Sequence, residues 1–187
     1  MGRQKKFSRE GVLEKVIPIF WQYGFAGTTL QHLERATGVN KSGLYAEFRD
    51  KGDLFLASLR HYVRQGADLE ALTAQPLGWG NIGAYLRLAA GTPGHCRIAG
   101  CFAVNSMREF TLLPAGALDI IAQRRQAVRP LLADNIRVAG AAADPEILAE
   151  MVAVFFSGLC IEQNLHSGGG GATERKIDRF MQALRAL

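Results

Sequence analysis

Apolar side chains recur along this chain at three- and four-residue intervals, and no stretch alternates long enough to argue a strand. The spacing predicts helix throughout. Val12, Val16, Ile19, Phe20 and Tyr23 share a face of a first helix that Ser8 can cap and Gly24 can stop. Pro18 lies inside it and is expected to kink it or remove a hydrogen bond. Thr28 or Thr29 caps a short helix to Thr37, ended by Gly38, and Asn40 caps another through about Phe48. Asp50, with Asp53 three residues on, starts a fourth helix with an apolar stripe of Phe55, Leu59 and Tyr62, predicted to run to about Thr73.

Beyond the loop "TAQPLGWGN" a fifth helix is predicted from Asn81 to Ala90, and "GTPGHCRIAG" is a Gly/Pro-rich break. A short sixth helix covers about Cys101 to Phe110. Pro114 opens a long seventh segment to about Val138, with Pro130 as an expected kink. Asp144 and Pro145 mark the start of an eighth helix predicted to reach His166. It is apolar on two sides, with Leu148, Val152, Phe155 and Leu159 on one and Ile147, Met151, Val154 and Ile161 near the other. Such a helix needs two neighbours. The loop "SGGGGAT" lacks the lysine and preceding strand of a phosphate-binding loop. A last helix from Thr173 carries Ile177, Phe180, Met181 and Leu184 at offsets of one helical face. The layout is all-α: three short helices in residues 1–52, then a longer helical body over 53–187 with an apolar C-terminal pair.

Composition narrows the class. The chain has 187 residues, 48% hydrophobic and 21% charged, as suits a soluble protein with a core. The most apolar run is interrupted by Glu150 and Glu162, and the basic N-terminus "MGRQKKFSRE" is followed by no signal-peptide core. Lys6 stands where a myristoylation signal has a hydroxyl. The expected location is the cytoplasm, without membrane association. Cys96, Cys101 and Cys160 are odd in number and unevenly spaced, which is no disulfide framework. The net charge is +5, and residues 1–54 hold nine Lys/Arg against six Asp/Glu, an excess denser than in the rest. Arg3, Lys5, Lys6 and Arg9 form a basic arm of a kind that approaches phosphates.

That charge gives meaning to "LQHLERATGVNKSGLY", which has the spacing of a helix-turn-helix. Leu30 and Leu33 face inward, Gly38 makes the turn, and Val39 and Leu44 hold the second helix against the first. Asn40, Lys41, Ser42, Gly43 and Tyr45 are left at the outer edge or N-terminal end of the second helix, where such a helix meets the major groove. Gly43 would let the backbone approach DNA, and Lys51 and Thr29 can donate to phosphates. The run "GFAGTTLQHLERATGVNKSGLYAEFRDKGDLF" resembles the DNA-binding region of the TetR family of bacterial transcriptional regulators. The matching positions are Gly24, Thr28, Thr29, Leu33, Ala36, Gly38, Val39, Ser42, Leu44, Tyr45, Phe48, Lys51 and Leu54. Glu34, where the family often has Ala, and Pro18 depart from it. The resemblance implies a helix-turn-helix DNA-binding domain and a C-terminal ligand-binding and dimerisation domain. It also implies a homodimer that binds palindromic double-stranded operator DNA, usually as a repressor, and is released by a small molecule. "GCFAVNSMREF" resembles a segment of a subgroup with a "GC…VN…E" core, some of whose members answer to metal or stress.

Candidate sites follow. DNA contacts are expected from Thr28, Thr29, Asn40, Lys41, Ser42, Gly43, Tyr45 and Lys51. Trp79, Tyr85, Cys101, Phe102, Asn105, Phe110 and Phe155 are candidates for an apolar ligand pocket. The dimer interface is expected to use Leu148, Val152, Phe155, Leu159, Ile177, Phe180, Met181 and Leu184. His95, Cys96 and Cys101 do not have a standard zinc spacing, so no metal or cofactor is expected. A thiol- or metal-sensing repressor using Cys96 and Cys101, or a DNA-binding protein without a ligand, are the alternatives. Catalysis is not expected: Ser106 and Ser157 have no elbow sequence, His32, His61, His95 and His166 are scattered, and Glu109 and Glu162 have no paired acid.

Overall fold

The computed structural model describes residues 7–90, 100–164 and 170–187. Ten α-helices carry these residues, with 3-10 turns at Leu88–Ala90 and Met107–Glu109, and no strand occurs among the described residues. The chain divides into two compact units, Met1–Gln65 with Asn105–Ile120, and Gly66–Val104 with Ile121–Leu187. The first is therefore larger than residues 1–52, and it takes in a segment from far along the chain.

In the first unit, α1 (Arg9–Gly27) is capped by Ser8, whose Oγ accepts the Gly11 N–H. Helical geometry continues through Pro18; the backbone leaves it only at Gly24, with φ 72° and ψ 178°. The expected kink thus lies at the glycine, which adopts the left-handed φ without a Cβ penalty. Val12, Leu13, Val16, Ile17 and Phe20 are buried, whereas Tyr23 is exposed and stacks on His32 at 4.5 Å. Short helices α2 (Leu30–Thr37) and α3 (Lys41–Glu47) follow, and then α4 (Lys51–Gln65). α4 packs along α1 through edge-on contacts of Phe55 with Phe20 and Phe25, at 5.1 and 5.2 Å. That packing puts α4 in this unit. The fourth helix stops short of Thr73 because Gly66 turns left-handed, φ 70°, and a separate α5 (Ala67–Thr73) begins.

In the second unit, α6 (Trp79–Arg87) precedes α7 (Phe102–Ser106), whose last two residues belong to the first unit. α8 (Ala117–Val138), whose first four residues belong to the first unit, runs helically through Pro130, α9 (Pro145–Glu162) starts on the Asp144 cap, and α10 (Gly170–Arg185) ends the series. Asn135 is fully buried and tied three ways. Its Nδ2 donates to the Leu72 and Leu131 carbonyls at 2.8 Å, and its Oδ1 accepts the Gly78 N–H at 2.9 Å. Arg124 pairs with Asp68 through two hydrogen bonds, one of 2.9 Å from Nε.

The faces of α9 require a correction. Leu148, Val152 and Leu159 are buried in the chain's own core, as are Ile177, Met181 and Leu184 of α10. Burying each such side chain contributes roughly 1.5–3 kcal/mol, and that burial is satisfied within one chain. These six are therefore not free to meet a partner. The exposed side of α9 carries Ile147 and Val154, each 60% exposed, with Met151 and Ile161. Phe155 and Phe180 are half-buried and stack on each other at 3.8 Å.

Candidate nucleic-acid interface

The α2–turn–α3 pair is held mostly by caps. Thr29 accepts the His32 N–H, and His32 Nδ1 accepts the Thr29 N–H in return, a reciprocal cap built with histidine instead of glutamate. Gly38, φ 71°, turns the chain, and its N–H donates to the Glu34 carbonyl at 2.8 Å. Leu33, Val39 and Leu44 are buried beneath the turn, as their positions predict. Asn40 Oδ1 accepts the Gly43 N–H at 2.9 Å and the Ser42 hydroxyl at 3.1 Å. The Glu34 carboxylate accepts the Lys41 N–H at 2.5 Å. The departure at Glu34 thus has a local purpose: it closes the first turn of α3 from the neighbouring helix. Two first-turn N–H groups that could have met a phosphate are already occupied.

The predicted residues separate into two groups. Lys41 and Ser42 are exposed and Tyr45 is half-exposed, leaving a cationic, hydroxyl and phenolic set on one short helix. Thr29 and Asn40 are exposed but act as caps. Thr28 is 2% exposed and spends its hydroxyl on the Gly24 carbonyl at 2.6 Å, so it does not reach outward. Lys51 donates to the Phe25 and Thr28 carbonyls, both at 2.9 Å, which leaves one of its three N–H donors. A Cβ on Gly43 would lie 2.7 Å from Val39 Cγ1 and 3.2 Å from the capping Asn40 oxygen. Gly43 is required first by packing inside the unit, whatever lies outside it.

Of the basic arm, Arg3, Lys5 and Lys6 lie outside the described residues. Arg9 donates to the Glu47 carbonyl at 2.5 Å and lies 4.2 Å over the Phe48 ring, so it finishes the C-terminal end of α3. Sequence reading missed Arg9 in this role, along with His32 and Glu34. Their partners are set by how helices cross, and only the Thr29–His32 spacing carried a local signal.

The pocket candidates are divided between the two units. Asn105 and Phe110 belong to the first unit, and Trp79, Tyr85, Cys101, Phe102 and Phe155 to the second. Phe110 is 62% exposed, and Phe102 is buried. Within the second unit, an open groove of about 470 Å³ is lined by Trp79, Arg87, Met181, Gln182 and Arg185 among others, and takes only Trp79 from that set. Tyr85 stacks on Phe156 at 4.5 Å. Burial, then the neighbouring Cys101 and Asp68, push its hydroxyl well above the ordinary tyrosine range. Burial also pushes the Cys160 thiol up, with Cys101 adding to the shift. Cys160 is buried and Cys101 half-buried, while His95, Cys96 and His166 lie outside the described residues. No group of three or more possible metal ligands gathers among the described residues. None of the described helices is long and apolar enough to cross a membrane.

The described residues are helical, with a capped helix-turn-helix in the N-terminal unit and a second helical unit. Residues 17–58 match the family described as "Bacterial regulatory proteins, tetR family". The chain is 45% identical over 62 residues to the HTH-type transcriptional repressor ComR of Escherichia coli K12, covering 33% of this chain and 30% of ComR. It is 36% identical over 68 residues to the repressor AcnR of Corynebacterium glutamicum, covering 36% of each. These matches span about a third of the curated relatives' lengths. Over nearly the whole chain, the fold is like that of the TetR-family regulator CifR, solved as a cysteine mutant with 26-bp double-strand operator DNA. The TM-score is 0.81 at 23% identity, with 97% of this chain and 99% of that one covered. Reduced E. coli NemR superposes with a TM-score of 0.75 at 20% identity, covering 96% and 95%. The N-terminal region is thus similar to that of the TetR family, and the fold is like that of its solved members.

Proposed function

We propose that the protein is a cytoplasmic, non-enzymatic transcriptional regulator, a repressor that binds a palindromic operator as a homodimer. The observation that carries this is α3: a short helix fixed at both ends by Asn40, Glu34 and Arg9, with Lys41, Ser42 and Tyr45 left outward. Such a helix suits major-groove reading, and Lys41 adds charge attraction to phosphates. The relatives named as repressors, and the operator complex of CifR, support the same reading. The second copy is supported by the exposed side of α9, Ile147, Met151, Val154 and Ile161, with the Phe155–Phe180 stack beside it. Two-fold pairing presents the same patch twice and supplies two reading helices about 34–36 Å apart, or a multiple of that.

Release by a small molecule is supported by the groove in the second unit, whose Trp79, Met181 and Arg185 offer an apolar wall and a cation. Selection of binding sites from random double-stranded DNA tests the reading, followed by a screen for compounds that free the best site. A two-fold symmetric consensus is the expected result. No enrichment would overturn the DNA-binding assignment. Enrichment with no releasing compound would favour a ligand-independent regulator.

A further inference from the structure

The junction between α1 and α2, Gly24–Thr28, has its polar groups taken one after another. The Gly24 carbonyl accepts from the Thr28 hydroxyl at 2.6 Å. The Phe25 and Thr28 carbonyls accept from Lys51. The Phe25 N–H donates to the Glu109 carboxylate at 2.6 Å. Lys51 comes from the same N-terminal stretch, but Glu109 comes from 84 residues away, on the turn Met107–Glu109 of the segment that joins the first unit. That carboxylate is seated closely. A Cβ built on Gly24 would lie 2.5–2.7 Å from its oxygens and carbon. Its own turn is fixed as well, because the Glu109 carbonyl accepts the Leu112 and Leu113 N–H groups at 2.7 and 3.2 Å.

An N–H bond to a charged carboxylate is short and about twice as strong as a neutral one. Here it acts on the bend that sets the direction in which α1 hands the chain to the reading pair. Glu109 is also the acid of the "GC…VN…E" stretch, to which neither α3 nor the groove gives a role.

We propose that Glu109 is a positioning residue for operator recognition: its grip on Phe25, at a bend only glycine fits, sets the angle at which each protomer presents α3. The inference rests on the DNA-binding reading above. Its signature is spacing. If the angle is held by this carboxylate, its loss lets the reading helices settle on half-sites at several separations, whereas a general loss of stability weakens all separations alike.

The test uses the full chain and the operator selected for it, with the half-site separation changed by one or two base pairs either way. Glu109→Gln keeps an acceptor oxygen and is expected to keep the parent's spacing preference. Glu109→Ala is expected to lose about 10-fold or more at the parent spacing, as for a lost hydrogen bond to a charged group, and to bind the altered spacings almost as well as the parent spacing. Glu109→Asp keeps the charge but draws the carboxylate back by one methylene, so it serves if the alanine variant does not fold; a flattened spacing profile is expected from it too. An unchanged profile in the folded Ala or Asp variant, or an equal loss at every spacing, overturns the proposal. Failure of the parent to select any DNA instead overturns the reading beneath it.

Discussion

Helix α3 has seven residues, of which Leu44 alone is buried, while α9 has eighteen, six of them buried, and still exposes four large apolar side chains. α3 is held by polar contacts at its ends. Asn40 and Glu34 close its first turn, and Arg9 closes its last. Isolated helices of that length do not form in water, so those contacts and one buried leucine must supply its order. α9 is held by apolar area, with a surplus that one chain does not cover. A helix meant to present polar groups outward can be fixed only at its ends and underside. A longer helix with that much apolar area can fill its own core and still leave one side exposed.

The largest expected effect contrasts the two sides of α9. Leu159→Glu places a charge at a site 3% exposed. The cost, several kcal/mol or more, is comparable to the roughly 5–15 kcal/mol stability of a typical domain, so the helical signal should melt early or be lost. A cooperative melt at the parent's temperature would show the buried side to be wrongly assigned. Val154→Glu, on the side 60% exposed, should leave the melt within a few degrees of the parent. It should sediment as a monomer and lose operator affinity about 100-fold or more as two-handed binding fails. Sedimentation unchanged from a parent dimer would remove α9's outer side from the interface.

Smaller effects sharpen the account of α3. Lys41→Ala and Tyr45→Ala should each weaken operator binding about 10-fold, within the 1–3 kcal/mol of a specific contact, with thermal stability kept. Titration at two salt concentrations separates them, because only the lysine change should lower the salt slope. Glu34→Gln keeps an acceptor for the Lys41 N–H and removes a negative charge beside the reading residues. A tightening of about 3-fold at low salt, shrinking as salt rises, is expected from screening. Weaker binding would mean that the carboxylate's charge matters more for holding α3 than for repelling phosphate.

Caps and turns were legible in the sequence because they depend on neighbours a few residues away. Ser8, Thr29, Asn40 and Asp144 cap as their positions imply, and Gly38 turns left-handed. The side of α9 that faces its own core was not legible, since both sides are apolar and its packing against α6 and the Leu88–Ala90 turn helps decide. Distant carbonyls also take two of the three Lys51 donors, and the Gly24 carbonyl four residues back takes the hydroxyl of Thr28, another residue that pattern alone pointed toward DNA. The bond of Glu109 to Phe25 lies beyond any local rule, because its two residues are brought together by the path of the chain.

That path has a bearing on synthesis. Domains emerging from a ribosome generally fold as units, at about 5–20 residues per second. The first unit is not complete when Gln65 emerges, because its remaining part ends at Ile120. Translation of the stretch between takes roughly 3–11 s at that pace. During that interval the nascent α1–α2 bend has Lys51 but not Glu109. The first unit is therefore finished only after residues 66–104 of the second have been made, and grafting it onto another body means cutting the chain in three places.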